Sequence, residues 1–397
     1  MTTRPTSPFK TWLILIFLVI FCPLAIDLYL PAFMVMAQSL NVTEAHIQQT
    51  VAVFMLSVGL GQLLAGPLAD RFGRKPVALS GIILYGIGGV LAAIAEQWSV
   101  LMLARVLQGL GACATFVSCF AIVRDSFDSK RSGAMITYLN GIVCFIPALA
   151  PIFGAWLTQA FGWRANFLFL TLFAVLGLLV ILAFYRETRP ADTHYSGHLL
   201  DLRRFTPMLG HPQFMFNAAI TMLGMSGILV FVTTAPGWIM SHLERDMSEF
   251  TAWFTANAVV SIVASFIAPR FIKRNSQQAL RCGLALFVLA AVLLMLTRSV
   301  TAPVALMLPM FIASLGFALS LGSAAGKALA PFAKQAGTAS ALIGVMQMSG
   351  AGVLALASQT LALSAPVQIA VHFFALAPFS LALLSRKSQQ LHPHCSG

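Results

Sequence analysis

The segment GPLADRFGRKP at positions 66–76 carries the pattern that decides the fold. It is a short, basic connection between two long apolar runs. A related segment, APRFIKR at 268–274, occurs 199 positions after ADRFGRK at 69–75. Each copy follows the second apolar run of its half of the chain. Duplicated halves of this kind are typical of transporters built from repeated bundles of membrane-spanning helices.

The composition around these segments is that of a membrane protein. Of the 397 residues, 59% are apolar and only 9% are charged, whereas a soluble domain carries about a quarter charged residues. This balance excludes a water-soluble protein, and it excludes disordered or fibrous chains, which need polar or repetitive sequence. The apolar runs are continuous and do not alternate, which argues against a β-barrel.

Twelve apolar runs are long enough to cross a bilayer, which takes about 20 residues. The predicted spans are 12–36, 48–69, 77–95, 99–122, 133–159, 165–185, 213–236, 250–269, 279–297, 302–325, 337–361 and 366–385. The fold class is therefore an all-α membrane protein with twelve transmembrane helices. The polar stretch 186–212 divides them into an N-terminal half at 1–185 and a C-terminal half at 213–397, with a cytoplasmic linker between the halves.

Membrane topology explains the formal net charge of +12. With the N-terminus inside, 20 of the 24 lysines and arginines fall in cytoplasmic segments, three fall on the opposite side, and Arg105 lies within a span. This bias predicts that both termini are cytoplasmic and that the basic residues face anionic lipid, so no nucleic-acid partner is needed. The six cysteines form no C-x-x-C pair, and no metal site or cofactor is expected.

Asp27 is an acidic residue deep inside an apolar span, within FCPLAIDLYLP at 21–31. A charge at the bilayer centre costs about 2.5–3.5 kcal/mol on insertion scales, so such residues usually face a bundle interior or an aqueous cavity and have a function. The position predicts a carboxylate that loads and releases a proton. The alternative is a static carboxylate that helix packing satisfies.

Arg105 lies in the fourth span at a depth similar to that of Asp27. Counted from the outer ends of their spans at 1.5 Å per residue, the two depths differ by only about 5 Å. If these spans are neighbours, an ion pair or a water-bridged contact would let Arg105 control the protonation of Asp27. The alternative is that Arg105 only fixes helix packing and binds backbone carbonyls.

Other intramembrane residues are candidates for bending and for substrate contact. Pro147 and Pro151 remove helical hydrogen bonds from the fifth span, which allows either bending or static kinks. Polar and methionine side chains are candidates for the lining of an apolar substrate cavity, although each polar group also suits contacts between helices. These candidates are Tyr29, Tyr138, Asn140, Asn217, Thr221, Met225 and Gln347.

Five segments resemble motifs of a known family of transporters. The segment 66–76 resembles the loop signature between the second and third spans of the major facilitator superfamily. RVLQGLGA at 105–112 resembles the fourth-span motif of its proton-coupled drug antiporters. APIFGA at 150–155 is similar to their fifth-span antiporter motif, with alanine at 150 and 155 where glycine is usual. DLYLP at 27–31 and PALAP at 147–151 are similar to the bicyclomycin- and chloramphenicol-resistance branch (Bcr/CflA).

The resemblance implies the superfamily fold, the inner membrane of a bacterium, and antiport of drugs against protons. It places Asp27 and Arg105 where such relatives handle the proton. It also implies that Asp70 caps and bridges cytoplasmic helix ends in the outward-facing state, with Arg71 and Arg74 as partners. The implied conformational-switch loop comprises Gly66, Asp70, Arg71, Gly73, Arg74 and Lys75, and the implied antiporter motif comprises Pro147, Pro151 and Gly154. Val19 stands where some multidrug relatives have a second membrane carboxylate.

The sequence thus predicts proton-coupled efflux of small amphipathic drugs by alternating access. The chain is expected to work as a monomer, with the proton gradient as its energy source. One alternative is a proton-linked transporter of a physiological metabolite, such as a nucleoside, sugar or amino-acid derivative. A membrane-embedded enzyme or structural subunit is another, but G-x-x-x-x-G-K-[ST], H-E-x-x-H and G-x-S-x-G motifs do not occur. No enzyme activity is expected.

Overall fold

The computed structural model describes residues 8–190, 201–361 and 363–384, and within these residues the regular structure is entirely helical. Twelve segments are long and apolar enough to cross a membrane, from Lys10–Ser39 to Ala365–Leu384. The all-α prediction and the twelve spans are therefore confirmed.

The first of two compact units runs from Met1 to Asp201. Its described helices are α1 (Pro8–Asp27), α2 (Phe33–Ser39), α3 (Glu44–Phe72), α4 (Arg74–Ala93), α5 (Trp98–Ser126), α6 (Ser129–Phe161) and α7 (Arg164–Phe184). Helix α5 packs against α1, α3, α4 and α6. Glycines allow this close approach, since a Cβ on Gly109 would come within 2.6 Å of the Phe54 carbonyl oxygen.

The second unit runs from Leu202 to Gly397. Its described helices are α8 (Thr206–Leu209), α9 (Pro212–Pro236), α10 (Met247–Arg274), α11 (Ser276–Leu296), α12 (Pro303–Leu329), α13 (Ala336–Val345), α14 (Ala351–Gln359), α15 (Ala365–Phe374) and α16 (Ala377–Leu384). The segments Gly237–His242 and Met346–Gly350 are π-helical, a form that often occurs at functional sites.

The boundary between the two units falls inside the predicted linker 186–212. Both described ends of this stretch make contacts with the unit to which they belong. Glu187 binds the first unit, whereas Phe205 and Met208 are buried in the second. Burial of these two apolar side chains explains why a helical segment begins at Leu202, before the predicted seventh span.

The first span is broken at Asp27, where α1 ends. In a continuous helix the carbonyl of Asp27 would accept from the N–H of residue 31, but Pro31 has no N–H. The chain instead forms a 3₁₀ turn at Leu30–Ala32, closed by the Ala32 N–H on the Tyr29 carbonyl at 3.0 Å. Asp27, the last residue of α1, therefore lies at an interruption of the first span.

The fifth span behaves differently, because α6 runs without interruption through Pro147 and Pro151. These prolines leave the carbonyls of Val143 and Pro147 without their helical donors, yet the helix continues to Phe161. Bending at these prolines stays a prediction.

Candidate functional site

Asp27 is a buried carboxylic acid at the C-terminal end of α1, with only 5% of its surface exposed. Among the described residues its side chain makes no hydrogen bond and no ion pair. A negative charge is also disfavoured at a helix C-terminus, where the partial charge of the backbone carbonyls is negative. Among the described residues, therefore, no side chain pairs directly with this carboxyl group to offset a negative charge on it.

Arg105 is fully buried on α5, and its guanidinium binds oxygen atoms from three other residues. Nη2 donates to the Ala25 carbonyl at 2.9 Å, Nη1 donates to Gln108 Oε1 at 2.6 Å, and Nε donates to the Thr50 carbonyl at 3.4 Å. The fork of donors on an arginine can serve several acceptors at once, which a lysine cannot do. Arg105 thereby joins α5 to both α1 and α3.

Two aromatic rings complete the pocket around Arg105. The centre of the guanidinium lies 4.3 Å from the ring centroid of Phe54 and 4.9 Å from that of Tyr29, a geometry that stabilises a cation. Thr50 donates its hydroxyl to the Ile47 carbonyl at 2.6 Å, so the Tyr29 hydroxyl is the donor to Thr50 Oγ1 at 2.7 Å. Tyr29 is fully buried in this pocket, and its place on a substrate cavity stays a prediction.

The first and fourth spans are neighbours, since α1 packs on α5. No ion pair joins Asp27 to Arg105 in the described chain, however, and Arg105 binds carbonyls as the packing alternative predicted. The Ala25 carbonyl would accept from residue 29 if α1 continued, and the break removes that donor. The guanidinium of Arg105 replaces the missing N–H as the donor to the Ala25 carbonyl. This contact puts a positive charge at the C-terminus of α1 and stabilises the break.

Gly154 of the antiporter motif lies against the other side of the break. A Cβ at this position would overlap the carbonyl oxygen of Leu28, the residue after Asp27. Hydrogen bonds fix α6 here: Thr158 Oγ1 donates to the Gly154 carbonyl at 2.7 Å, and Asn166 Nδ2 donates to Thr158 Oγ1 at 2.8 Å. Glycine is needed at 154 because the backbone of the first span occupies the space of a side chain.

In the loop motif, Arg74 connects the ends of three helices. Its Nη1 lies 2.9 Å from Asp70 Oδ1 at the end of α3, and its Nε lies 2.7 Å from Asp125 Oδ2 at the end of α5. Nη1 also donates to the Ala69 carbonyl at 2.8 Å. Arg74 is itself the first residue of α4 and is buried. The network therefore fixes α3, α4 and α5 relative to one another at this end of the first unit.

Glu187 caps the start of α4, and the implied capping role of Asp70 in the outward-facing state stays a prediction. Glu187 Oε1 accepts from the Arg74 N–H and Oε2 accepts from the Lys75 N–H, each at 3.0 Å. Asp70 belongs to the last turn of α3, where its carboxylate pairs with the Arg74 side chain. Gly73 has φ +109°, and a Cβ there would collide with the Glu187 carboxylate.

The remaining motif residues have simpler surroundings. Lys75 Nζ donates to the Tyr185 carbonyl at 2.6 Å. The guanidinium of Arg71 lies 5.4 Å from the ring centroid of Phe72, and its implied partnership with Asp70 stays a prediction. A Cβ on Gly66 would meet nothing within 4 Å, and its packing therefore does not require glycine.

The predicted cavity residues differ in exposure within each unit. Tyr138 is 62% exposed, and its ring contacts that of Trp12 at 5.8 Å between centroids, while Asn140 is exposed on the same helix. Asn217 and Thr221 are buried and bond to carbonyls of their own helix, at Gln213 and Ala218. A place for Asn217 and Thr221 in a cavity stays a prediction. Met225 and Gln347 are partly exposed, and their place in a cavity stays a prediction.

Several contributing residues were not predicted as site residues, among them Asp125, the ion-pair partner of Arg74. Gln108 was detectable, because it lies three residues after Arg105 and so on the same face of a helix. Thr50 and Phe54 are likewise one turn apart, but nothing in the sequence shows that they face Arg105. Glu187 is 113 positions from its partner Arg74, so no local pattern connects them. No group of three or more potential metal ligands occurs among the described residues.

A twelve-helix membrane protein with a carboxylate and an arginine buried inside its spans has the construction of a secondary transporter. The profile of the Major Facilitator Superfamily matches residues 15–355, and the chain belongs to this superfamily.

Proteins of similar sequence support this assignment. The chain is 33% identical over 337 residues to "Multidrug resistance protein MdtL" of Escherichia coli O139:H28 (strain E24377A / ETEC), which covers 85% of each chain. It is 34% identical over 336 residues, again 85% of each chain, to the protein of the same name from Escherichia coli O157:H7 (strain EC4115 / EHEC).

Solved structures share the fold at low sequence identity. A peptide transporter POT in complex with sulfate has a TM-score of 0.76 at 15% identity, over 98% of each chain. A D-xylose–proton symporter has a TM-score of 0.74 at 14% identity, over 95% of this chain and 96% of that one. The protein is therefore a multi-pass transporter of the bacterial inner membrane, and it acts on small molecules without being an enzyme.

Proposed function

We propose that the protein exports small amphipathic drugs in exchange for protons, by alternating access. The observation that carries the proposal is Asp27, a buried carboxyl group without a partner among the described residues, at a break in the first span. The relatives named for multidrug resistance support the choice of substrate class and do not favour the metabolite alternative.

Asp27 is suited to carry the proton. A buried carboxylate without a counter-charge is costly, whereas the neutral acid is tolerated, so a change of conformation that admits water changes the preferred protonation state. Protonation from the outside removes the charge and favours the inward-turning half of the cycle. Deprotonation towards the cytoplasm resets the transporter.

Arg105 is proposed to set the geometry of the proton site. It binds the Ala25 carbonyl and not the carboxylate of Asp27, so Asp27 can change its charge while the break around it stays in place. Movement of α5 against α1 would bring the guanidinium nearer to Asp27 or take it further away, which would favour the ionised or the neutral form respectively.

The network at Arg74 is proposed to act as the conformational switch. Its ion pairs to Asp70 and Asp125 and the Glu187 cap are all polar contacts between helix ends. Such contacts can be exchanged for others when helices move, provided that the buried guanidinium of Arg74 keeps a partner. The proposal also includes cytoplasmic termini, a monomeric transporter, and halves 1–185 and 213–397 joined by 186–212.

The test is drug efflux coupled to proton movement in proteoliposomes that carry the Asp27→Asn variant. Substrate-induced proton movement is expected to be lost, because an amide cannot release a proton in this pH range, whereas Asp27→Glu should retain part of it. Glu96→Gln, a change at an exposed acid of the first unit, is the matched control and should behave as the wild type. Unchanged proton movement in Asp27→Asn would show that Asp27 is not the carrier.

A further inference from the structure

A groove lies within the second unit and shares no residue with the proton site of the first unit. It has a volume of about 450 Å³ and lies between α10, α11 and α12. Its walls are mostly apolar and include Phe271, Leu286, Leu315 and Leu319. One end carries the polar side chains Arg274, Asn275 and Gln278. The volume is that of a specific ligand site and exceeds a packing defect.

The length of the groove fits one leaflet of a bilayer. Its lining on α10 extends from Ala264 to Arg274, which is about 15 Å at 1.5 Å per residue. The hydrocarbon core of a bilayer is about 30 Å thick, so one leaflet supplies about 15 Å. An acyl chain that enters at the polar end would therefore lie in the groove along its full depth.

The polar end is complementary to an anion. Arg270, Lys273 and Arg274 are exposed there, and none of them forms a hydrogen bond or an ion pair with another described residue. The sequence contains no Asp or Glu after Glu249, so no acidic residue of α11 or α12 neutralises these charges. Basic pockets between helices on the cytoplasmic side are suited to anionic lipid headgroups.

We infer that this groove binds one anionic phospholipid of the inner leaflet. An acyl chain occupies the apolar walls, and the phosphate of the headgroup binds Arg274 with help from its basic neighbours. The inference rests on the proposed orientation, in which this end of α10 is cytoplasmic. It does not depend on Asp27, which belongs to the other unit.

Cys282 is an exposed thiol in the wall of the groove and reports on its occupancy. The full-length protein is reconstituted into vesicles of phosphatidylglycerol or of phosphatidylcholine and treated with N-ethylmaleimide. Modification of Cys282 is then followed by peptide mass spectrometry, with Cys144 as the internal reference. We expect Cys282 to react about fivefold more slowly in phosphatidylglycerol, the effect of one basic contact to an anionic headgroup.

Arg274→Gln should abolish this protection, whereas Arg298→Gln, at an exposed arginine beyond the other end of α11, should leave it unchanged. Inorganic phosphate added to phosphatidylcholine vesicles should give no protection, because the apolar walls require a chain. Leu315→Trp should fill the groove and reduce the phosphatidylglycerol retained in native mass spectrometry.

Equal reaction of Cys282 in both lipids, or an equal effect of Arg298→Gln, would overturn the inference. Protection by a drug in place of the anionic lipid would also overturn it, because the groove would then be a substrate site. Protection should persist in Asp27→Asn, and this separates failure of the inference from failure of the proposed transport mechanism.

Discussion

At the scale of single residues, the charge of Arg105 is stabilised by dipoles and not by a carboxylate. Its guanidinium binds the carbonyls of Ala25 and Thr50 and the amide oxygen of Gln108, and it lies on two aromatic rings. Burial of an unpaired charge is costly unless such contacts replace water. Because Arg105 does not depend on Asp27 for its stability, titration of Asp27 leaves the arginine pocket intact.

Gly154→Ala tests the contact between α6 and the break in the first span. The added methyl group would overlap the Leu28 carbonyl oxygen, and overpacking of this kind typically costs about 1–3 kcal/mol. We expect a lower melting temperature of the purified protein and loss of drug efflux, because Leu28 adjoins Asp27. Both quantities are measured by thermal unfolding in detergent and by efflux from vesicles.

Gly66→Ala is the matched control, since the same methyl group at Gly66 would meet no atom within 4 Å. It should leave stability and efflux close to those of the wild type. Wild-type stability in Gly154→Ala would contradict the close approach of α6 to Leu28.

At the scale of helices, the break in the first span can be predicted from the sequence, whereas the cap of α4 cannot. Pro31 follows Asp27 by four residues and has no N–H, so the carbonyl of Asp27 has no helical donor and the helix breaks there. The capping of α4 by Glu187 is not predictable in this way. It depends on the path of the chain after α7, which brings Tyr185 to Arg189 back to the start of α4.

Glu187→Gln tests the cap of α4. The carboxylate accepts from the Arg74 and Lys75 amides at the positive end of the helix, and loss of a capping side chain costs about 1 kcal/mol. The amides of residues 74 and 75 should therefore exchange with deuterium about fivefold faster, as measured by hydrogen-exchange mass spectrometry.

Glu96→Gln, at an exposed acid near the opposite end of α4, should leave this exchange unchanged. Equal exchange at 74 and 75 in Glu187→Gln and the wild type would show that the carboxylate does not stabilise the start of the helix.

At the scale of the whole molecule, twelve apolar runs were enough to predict the fold, because a span needs only length and hydropathy. The same information could not place the polar side chains within the spans. Tyr29, Asn217 and Thr221 have the composition of a cavity lining, yet they bond inside their own units. A helix that is apolar on all sides gives no periodicity from which its inward face can be read.

The net charge moved in each transport cycle depends on the charge of the substrate. Asp27 is the acidic residue that the proposal assigns to proton transfer, which gives one proton per cycle. Exchange of one proton for a permanent monocation, such as a quaternary ammonium compound, then moves no net charge. Exchange for uncharged chloramphenicol moves one charge inwards, which is worth about 2.3 kcal/mol per 100 mV, or nearly fifty-fold in the concentration ratio at equilibrium.

In proteoliposomes without a pH gradient, a potassium-diffusion potential should therefore drive transport of chloramphenicol and leave transport of the monocation unaffected. The measurement is the steady-state distribution of each radiolabelled compound at several potentials, with Asp27→Asn as the uncoupled control. Dependence of the monocation distribution on the potential would require a second proton and hence a second titrating group. Since Val19 supplies no further carboxylate in the first span, that group would have to be sought elsewhere in the chain.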